Sequence, residues 1–187
     1  MKDKKLEGEY LIIQGYNGNI EHEGFYFQDL RHGTQTDYYE NGKRRNIWSY
    51  NLGVLHGIMM EWNKSGNKKE ETIYENGKEI GPKIEFHKNG RRKSIRIFKD
   101  GEIHGKWRTF YKNGEKKKES NYEEGQQIGL VRKWFKNGKL KYRGTLKVKV
   151  IQGIEKKLYV NEEIWGKNHL HPTRGPIWED EHGELVL

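Results

Sequence analysis

The chain has 187 residues, of which 32% are hydrophobic and 34% are charged, and its formal net charge is +9. A mean hydropathy of -1.14 leaves too little apolar material for a thick two-layer globule, whereas 11 Tyr, 6 Trp and 6 Phe argue against a disordered chain. The lack of cysteine excludes disulfides, cysteine-ligated zinc and a thiol nucleophile, and we expect no cofactor.

The first eight residues are interpreted as a lead into the fold. The start MKDKKLEGEY lacks the apolar run of a signal peptide, and no stretch approaches the roughly 20 apolar residues of a membrane span. We therefore expect a cytoplasmic protein. Its positive charge favours an acidic partner, either an acidic protein surface or a phosphate backbone.

Glycine then recurs with a fixed period of 24 residues. Nine residues after each of the first five period glycines stands a further glycine, preceded four times by Asn and once by Ser65. Such a period indicates an array of one supersecondary motif whose neighbours stack on one another. The period glycines are Gly33, Gly57, Gly81, Gly105, Gly129 and Gly153.

Each period predicts two strands and two turns, because glycine adopts a positive φ without steric cost. A second turn lies at Asn76-Gly77 and Asp100-Gly101, with Gly53 and Gly125 in the same column. Dense glycine excludes helices, and short connections exclude parallel strands. The sequence thus predicts an all-β fold, an elongated single antiparallel meander sheet of tandem 24-residue β-hairpin repeats. The first turn of each repeat is predicted at Asn41-Gly42, Ser65-Gly66, Asn89-Gly90, Asn113-Gly114 and Asn137-Gly138.

Aromatic residues occupy two columns of the repeat. A two-residue loop at the Asn-Gly turn would place the columns on opposite faces of the sheet, and a three-residue loop such as Glu40-Asn41-Gly42 would place them on one face. We favour the three-residue loop and a single aromatic stripe. The columns are Tyr38, Trp62, Phe86, Phe110 and Trp134, and Tyr50, Tyr74, Phe98, Tyr122 and Leu146.

The unit G-x4-aromatic-x2-NG-x7-Y-x2-G-x3-G resembles the bacterial MORN-variant repeat, whose tandem proteins are often antitoxin or immunity components. Residues 33 to 153 carry the resemblance, and residues 9 to 32 fit as a degenerate unit. After Gly153 the pattern decays, and Pro172 and Pro176 interrupt pairing. We therefore expect a lead at 1–8, repeats at 9–153, and a divergent C-terminal repeat or cap at 154–187.

Histidines provide two candidate metal sites, and we expect neither to bind a metal. Three of them, His32, His56 and His104, precede period glycines in units about 9–10 Å apart, too far for two imidazoles to share one zinc. The pair His169 and His171, with Asp180 or Glu181 nearby, is the stronger candidate. Solvated polar residues of a terminal cap remain our interpretation.

No pattern in the chain indicates catalysis. The acidic residues Asp37, Glu61 and Glu85 lie at one position of successive units, on what we expect to be an open sheet face without an enclosing pocket. The glycines are interpreted as turn residues, since no helix follows them to form a phosphate-binding loop. We therefore predict that the protein is not an enzyme.

Basic residues follow each Asn-Gly turn and are the predicted partner-binding site. Because the turn recurs, they are expected to form a ridge along one edge of the sheet. A solvated hairpin shoulder that discourages edge aggregation is the alternative. The ridge comprises Lys43, Arg44, Arg45, Lys68, Lys69, Arg91, Arg92, Lys93, Lys116, Lys117, Lys139 and Lys141.

The leading functional hypothesis is a binding protein that inhibits another macromolecule by steric occlusion. An antitoxin or immunity protein, or a mobile-element inhibitor of a bacterial nuclease such as a guided effector, would fit this pattern. Direct nucleic-acid binding, with aromatics such as Tyr111, Trp134 or Phe135 stacked on bases, is a second hypothesis. A membrane-surface or scaffolding role is a third, without an amphipathic helix or lipidation motif to support it.

Overall fold

The structure, a computed structural model, describes residues 8–151, 154–164, 177–179 and 185–186. Every regular element in these ranges is a β-strand, and the strands pair in chain order except that the short β9 lies off this path and β10 pairs with β8, so the predicted all-β meander is confirmed. The strands are β1 (Glu9–Gln14), β2 (Ile20–Phe27), β3 (Leu30–Tyr38), β4 (Arg44–Asn51), β5 (Val54–Trp62), β6 (Lys68–Glu75), β7 (Lys78–Phe86), β8 (Arg92–Lys99), β9 (Glu102–Ile103), β10 (Gly105–Phe110), β11 (Lys116–Glu123), β12 (Gln126–Trp134), β13 (Leu140–Ile151), β14 (Ile154–Ile164), β15 (Ile177–Glu179) and β16 (Leu185–Val186).

The chain forms two compact units. Unit 1 comprises Met1–Arg92 and Ile97–Glu102, and unit 2 comprises Lys93–Arg96 and Ile103–Leu187. Strand β8 therefore contributes residues to both. Each unit is described by itself below.

The Asn-Gly turn is a three-residue loop, as predicted. In unit 1 the Gly42 N–H donates to the Tyr39 carbonyl at 2.8 Å, and the Tyr39 N–H donates to the Lys43 carbonyl at 2.8 Å. In unit 2 the Gly114 N–H donates to the Tyr111 carbonyl at 2.9 Å in the same way. Because Gly42 and Gly114 have φ of 74° and 95°, the turn requires a residue that tolerates the left-handed region.

The prediction that both aromatic columns share one face is wrong, because a second irregularity lies just beyond the turn. Tyr38 is opposite Arg44, but Asp37 is opposite Asn46, so Arg45 is an extra residue in a β-bulge. This bulge reverses the parity that the three-residue loop sets, and Tyr50 then lies opposite Gly33. Tyr38 and Tyr50 consequently point to opposite faces.

We call the face that carries the first aromatic column face A and the other one face B. In unit 1, face A includes Tyr38 and Trp62, and face B includes Asp37 and Tyr50. In unit 2, face A includes Phe110, and face B includes Trp107 and Tyr122, whose rings lie 5.5 Å apart. The same register shift recurs in both units.

The five period glycines from Gly33 to Gly129 lie within strands rather than in the turns where the sequence placed them, and Gly153 lies outside the described residues. Gly33 has φ of 66° and lies in a bulge of β3, between residues that pair with Gly24 and Phe25 of β2. The second turn of each repeat lies where the sequence predicted it. It is a two-residue turn in which both residues are left-handed, such as Asn76 and Gly77 at φ of 49° and 80°.

Buried side chains form a row across the middle of face B in each unit. In unit 1 the register runs from Gly24 through Gln35, Trp48 and Met59 to Thr72, and Gln35, Met59 and Thr72 are buried. A Cβ at Gly24 would collide with the Gln35 side chain, so glycine makes room for it. The smaller residues Gly24 and Thr72 thus stand at the ends of the row, and the larger side chains lie between them.

The row of unit 2 has the same construction with different residues. Trp107 lies opposite Ser120, and Val131 lies opposite Gly144. Val131 is completely buried, and Leu146 and Tyr142 pack around it. The Trp107 indole N–H donates to the Ser94 hydroxyl at 2.9 Å. A single sheet thus obtains its apolar contacts within each face rather than between two layers.

Candidate macromolecule-binding surface

Basic residues occupy the bulge that follows the Asn-Gly turn. The extra residue of this bulge is Arg45 in β4 and Lys69 in β6 of unit 1, and Lys117 in β11 and Lys141 in β13 of unit 2. Side chains at a bulge lie on the same face as the residue across from them, which here is face B. The residue across the bulge therefore decides the environment of each cation.

In unit 1 the residue across the bulge is acidic. An Arg45 guanidinium nitrogen lies 3.5 Å from an Asp37 carboxylate oxygen, and the Lys69 ammonium forms an ion pair with Glu61. Burial raises the pKa of Asp37, but hydrogen bonds from His22 and Asn46 and the charge of Arg45 outweigh it and hold that pKa below its usual range. These cations are neutralised inside the unit.

The remaining ridge cations of unit 1 lie next to the turns. The Lys43 ammonium donates to the Ser65 carbonyl at 2.9 Å, and the Lys68 ammonium lies 2.5 Å from Glu71 and 5.7 Å from the centre of the Phe86 ring. Four further ridge residues are exposed: Arg44 in β4, Arg91 in the β7–β8 connection, and Arg92 and Lys93 at the start of β8, of which Lys93 belongs to unit 2.

In unit 2 the residues across the same bulges are Thr109 and Lys133, neither of which is acidic. The Lys117 ammonium lies instead 5.9 Å from the centre of the Tyr111 ring, and the Lys141 ammonium lies 5.5 Å from the centre of the Phe135 ring. An aromatic ring attracts a cation but carries no net charge that could balance it.

Two further cation–ring pairs lie on the same face of unit 2. The Lys133 ammonium is 5.3 Å from the centre of the Tyr142 ring, and the Arg96 guanidinium is 5.4 Å from the centre of the Trp107 ring. We call the four cations and their rings the cation–aromatic face. Its members are Arg96, Trp107, Tyr111, Lys117, Lys133, Phe135, Lys141 and Tyr142.

On face A of unit 2, a carboxylate forms ion pairs with two arginines. The Glu119 carboxylate lies 2.9 Å from Arg108 and 3.2 Å from Arg132, and only 10% of its side chain is exposed. Burial raises the pKa of Glu119, but the hydrogen bond and charge of Arg108 outweigh it and lower that pKa below its ordinary value. The Lys116 ammonium lies 5.5 Å from the centre of the Trp134 ring.

The net charge is distributed unequally along the chain. Residues 8–92 contain 12 Lys and Arg against 12 Asp and Glu, whereas residues 103–146 contain 12 Lys and Arg against 4 Asp and Glu. The first stretch is therefore neutral, and the second carries about the whole formal charge of the protein. This excess lies in unit 2, which also carries the cation–aromatic face.

The structure divides the predicted ridge instead of presenting it as one strip. Lys117 and Lys141 lie on face B of unit 2, whereas Lys116 lies on face A. The Lys139 backbone N–H donates to Asn137 Oδ1 at 3.1 Å and completes the turn, while its side chain is exposed.

Sequence reasoning missed Arg96 and Lys133, which belong to the cation–aromatic face. A signal for the difference between the units was present in the column of Asp37, Glu61 and Glu85. The same column holds Thr109 and Lys133 in unit 2, so the charge of its residues changes from negative to neutral and then positive along the chain. The sequence alone does not show that this column faces the basic residues, because the bulge that brings them together appears only in the paired strands.

The structure describes only some of the histidines that were considered as metal ligands. His32 lies in β3, and its Nδ1 accepts the Leu52 N–H at 3.3 Å, a structural contact. Residues 8–146 show no group of three or more possible metal ligands. His169, His171, Asp180 and Glu181 lie outside the described residues, so the prediction about them stays a prediction.

Comparison with known proteins agrees with this geometry. The family described as the MORN repeat variant matches residues 31–52, 55–78, 103–124 and 127–147. The intervening repeat, at 79–102, keeps its glycines but is not matched. A search of curated proteins gives no significant match. No helix in the described part of the chain is long and apolar enough to cross a membrane. Two of the matched repeats lie in each unit, so the chain contains four repeats of the MORN variant type.

Proposed function

We propose that this protein is a non-enzymatic inhibitor that binds an acidic partner protein through the cation–aromatic face of unit 2. Binding would cover a functional surface of the partner, as an antitoxin or immunity protein does, or as a mobile-element inhibitor of a bacterial nuclease does. The mechanism is steric occlusion and requires no cofactor. The cytoplasm is the proposed location of both proteins.

The observation that carries the proposal is the replacement of an acidic residue by Thr109 and Lys133 across the bulges of unit 2. In unit 1, Arg45 pairs with Asp37 and Lys69 pairs with Glu61. Carboxylates of a partner would therefore add less binding energy at these cations. Lys117 and Lys141 retain their charge over aromatic rings. Complementary charge from a partner would increase both the rate and the specificity of association.

The arrangement favours an acidic protein over a nucleic acid. Bases bind single-strand-binding proteins by stacking on exposed ring faces. In unit 2, ammonium groups already lie over the Tyr111, Phe135 and Tyr142 rings. A base could stack there only by displacing a cation, whereas a carboxylate can approach the ammonium from its outer side. Nucleic-acid binding is therefore an alternative outcome of the test.

The test compares two pairs of substitutions that remove the same charge. Lys117→Gln with Lys141→Gln neutralises the bulges of unit 2, and Arg45→Gln with Lys69→Gln neutralises those of unit 1. A partner is captured from the source cell with the wild-type protein, identified by mass spectrometry, purified, and titrated against each variant. We expect the unit 2 pair to weaken binding by about tenfold or more and the unit 1 pair to have little effect.

The partner's own activity is then measured with and without the repeat protein. Inhibition that the unit 2 pair relieves is the expected result. An equal loss of affinity in both pairs would mean that only overall charge matters and would contradict the assigned surface. Binding to a single-stranded oligonucleotide, with log K falling by about 0.7 per neutralised phosphate for each unit of log salt, would favour the nucleic-acid alternative.

A further inference from the structure

Strand β1 is an edge strand with exposed apolar side chains on both of its faces. The exposed fractions are 60% for Tyr10, 43% for Leu11, 50% for Ile12 and 45% for Ile13. Successive residues of a strand point to opposite faces, so Tyr10 and Ile12 lie on one face and Leu11 and Ile13 on the other. A single neighbouring strand, β2, contacts β1 among the described residues.

Within residues 8–20, this edge lacks the usual protection against strand pairing. Edge strands are normally protected by lysines, prolines or inward-pointing charges. Residues 8–20 contain no lysine, arginine or proline, and Glu9 is their one charged residue. Within the described residues, the outer edge of β1 therefore presents backbone donors and acceptors together with a row of exposed apolar side chains.

We propose that β1 pairs antiparallel with β1 of a second copy of this chain, which joins the two sheets edge to edge. A two-fold axis normal to the sheet relates such strands and keeps corresponding faces on the same side. This symmetry requires each residue to face one of the same parity. Leu11 or Ile12 must then lie opposite itself, because these positions are at the centre of the strand.

Both registers place apolar residues opposite one another at the centre of the pair, and Glu9 faces Ile13 when Leu11 is central. With Leu11 at the centre, Tyr10 faces Ile12 of the second copy; with Ile12 at the centre, Leu11 faces Ile13. In neither register does Glu9 lie opposite a second Glu9, so no like charges meet. Cross-strand apolar pairs of this kind stabilise antiparallel sheets.

Charge also favours a second copy as the occupant. Residues 8–92 carry 12 positive and 12 negative side chains, so two copies of unit 1 approach without net repulsion. A strand from an acidic partner, which unit 2 is proposed to bind, would instead bring charges against Leu11 and Ile12. The pairing is thus independent of the proposed function and uses a different surface.

The chain has no native cysteine, which makes disulfide trapping a direct test. Directly opposite residues of an antiparallel pair have Cα atoms about 4.5–5.5 Å apart, within the range of a disulfide. Single variants Tyr10→Cys, Leu11→Cys, Ile12→Cys and Ile13→Cys are oxidised mildly in the full-length protein. We expect efficient cross-linking at Leu11→Cys or Ile12→Cys and much weaker cross-linking at the neighbouring positions.

The control is Ile58→Cys, which places a thiol at a residue of β5 that is 48% exposed. Light scattering after size exclusion should give twice the monomer mass of 22.3 kDa for the wild type, and the monomer mass for Ile12→Lys. Ile58→Lys should remain dimeric. A monomeric wild type at concentrations up to about a millimolar, or equal cross-linking at Ile58→Cys and at β1, would overturn the proposal.

Discussion

Units 1 and 2 use the same turn geometry but place different residues around it. The Tyr39 hydroxyl donates to the Trp62 carbonyl at 2.7 Å, and the Tyr111 hydroxyl donates to the Trp134 carbonyl at 2.8 Å. In both units an aromatic side chain therefore connects one hairpin with the next. The residues across the bulges differ, so the basic side chains at the bulges contact carboxylates in unit 1 and aromatic rings in unit 2.

The asparagine of the turn shows how closely the backbones correspond. Asn41 Nδ2 donates to the Lys64 carbonyl at 2.9 Å, and Asn113 Nδ2 donates to the Lys136 carbonyl at 2.7 Å. Each side-chain oxygen also accepts a backbone N–H two residues later in its own turn. The repeat therefore fixes the backbone, while one column outside the turn motif determines whether the bulge cations face a carboxylate.

The largest effect is expected where corresponding glycines have different surroundings. Gly57 of unit 1 has φ of 108°, and a Cβ there would lie 2.9 Å from Ser49 Cβ; Gly129 of unit 2 has φ of 59° and nothing within 4 Å of such a Cβ. Gly57→Ala should cost about 2–3 kcal/mol and Gly129→Ala about 1–2 kcal/mol. Denaturant unfolding followed by tryptophan fluorescence measures both.

The double variant Gly57→Ala with Ser49→Gly separates the two causes of this loss. Removing the Ser49 side chain relieves the contact but leaves the backbone strain, so the penalty of the alanine should fall toward the value at Gly129. Equal losses for the two single variants would show that the bulges do not differ in the way their φ angles indicate.

A smaller effect is expected from the buried carboxylate that distinguishes face A of unit 2. Glu119→Gln removes the charge that Arg108 and Arg132 contact, and about 1–2 kcal/mol of stability should be lost at neutral pH, because both arginines are about one-third exposed. The folded-state pKa of Glu119 is lowered from 4.5. Its contribution is therefore present above about pH 4.5 and disappears as pH falls through the folded-state pKa.

The measurement is the difference in unfolding free energy between wild type and Glu119→Gln from pH 7 to pH 3. This difference should shrink with acidification. Glu71→Gln in unit 1 is the matched control, since Glu71 has one lysine partner and a side chain that is 29% exposed. A larger loss at Glu71 than at Glu119 would contradict the assignment of the stronger network to unit 2.

The fold was predictable from the sequence because glycine periodicity and Asn-Gly turns are local signals. The three-residue loop was predictable for the same reason. The bulge at Arg45 was not, since arginine has no turn preference, and its effect on parity appears only when β3 and β4 are paired. One extra residue moved Tyr50 to the other face and divided the basic ridge, so the fold was predicted better than the surface.

The smallest predicted effect concerns the two-residue turns, where the units should respond alike. Leu52 in unit 1 and Glu124 in unit 2 have φ of 46° and 48°, although neither residue type favours the left-handed region. Asn76 occupies the equivalent position at φ of 49°. Since asparagine tolerates this conformation, Leu52→Asn and Glu124→Asn should each stabilise the protein by about 0.5–1 kcal/mol.

The reverse substitution, Asn76→Leu, should destabilise by a similar amount, which provides an internal check on the cause. Thermal unfolding and denaturant midpoints measure all three variants. Leu52 is 45% exposed, so replacing it loses little buried apolar area. The relief of backbone strain should therefore dominate the change in stability. If Leu52→Asn destabilised the protein while Glu124→Asn stabilised it, side-chain contacts of Leu52 would outweigh the turn geometry. The two units would then differ in their turns as well as in their charges.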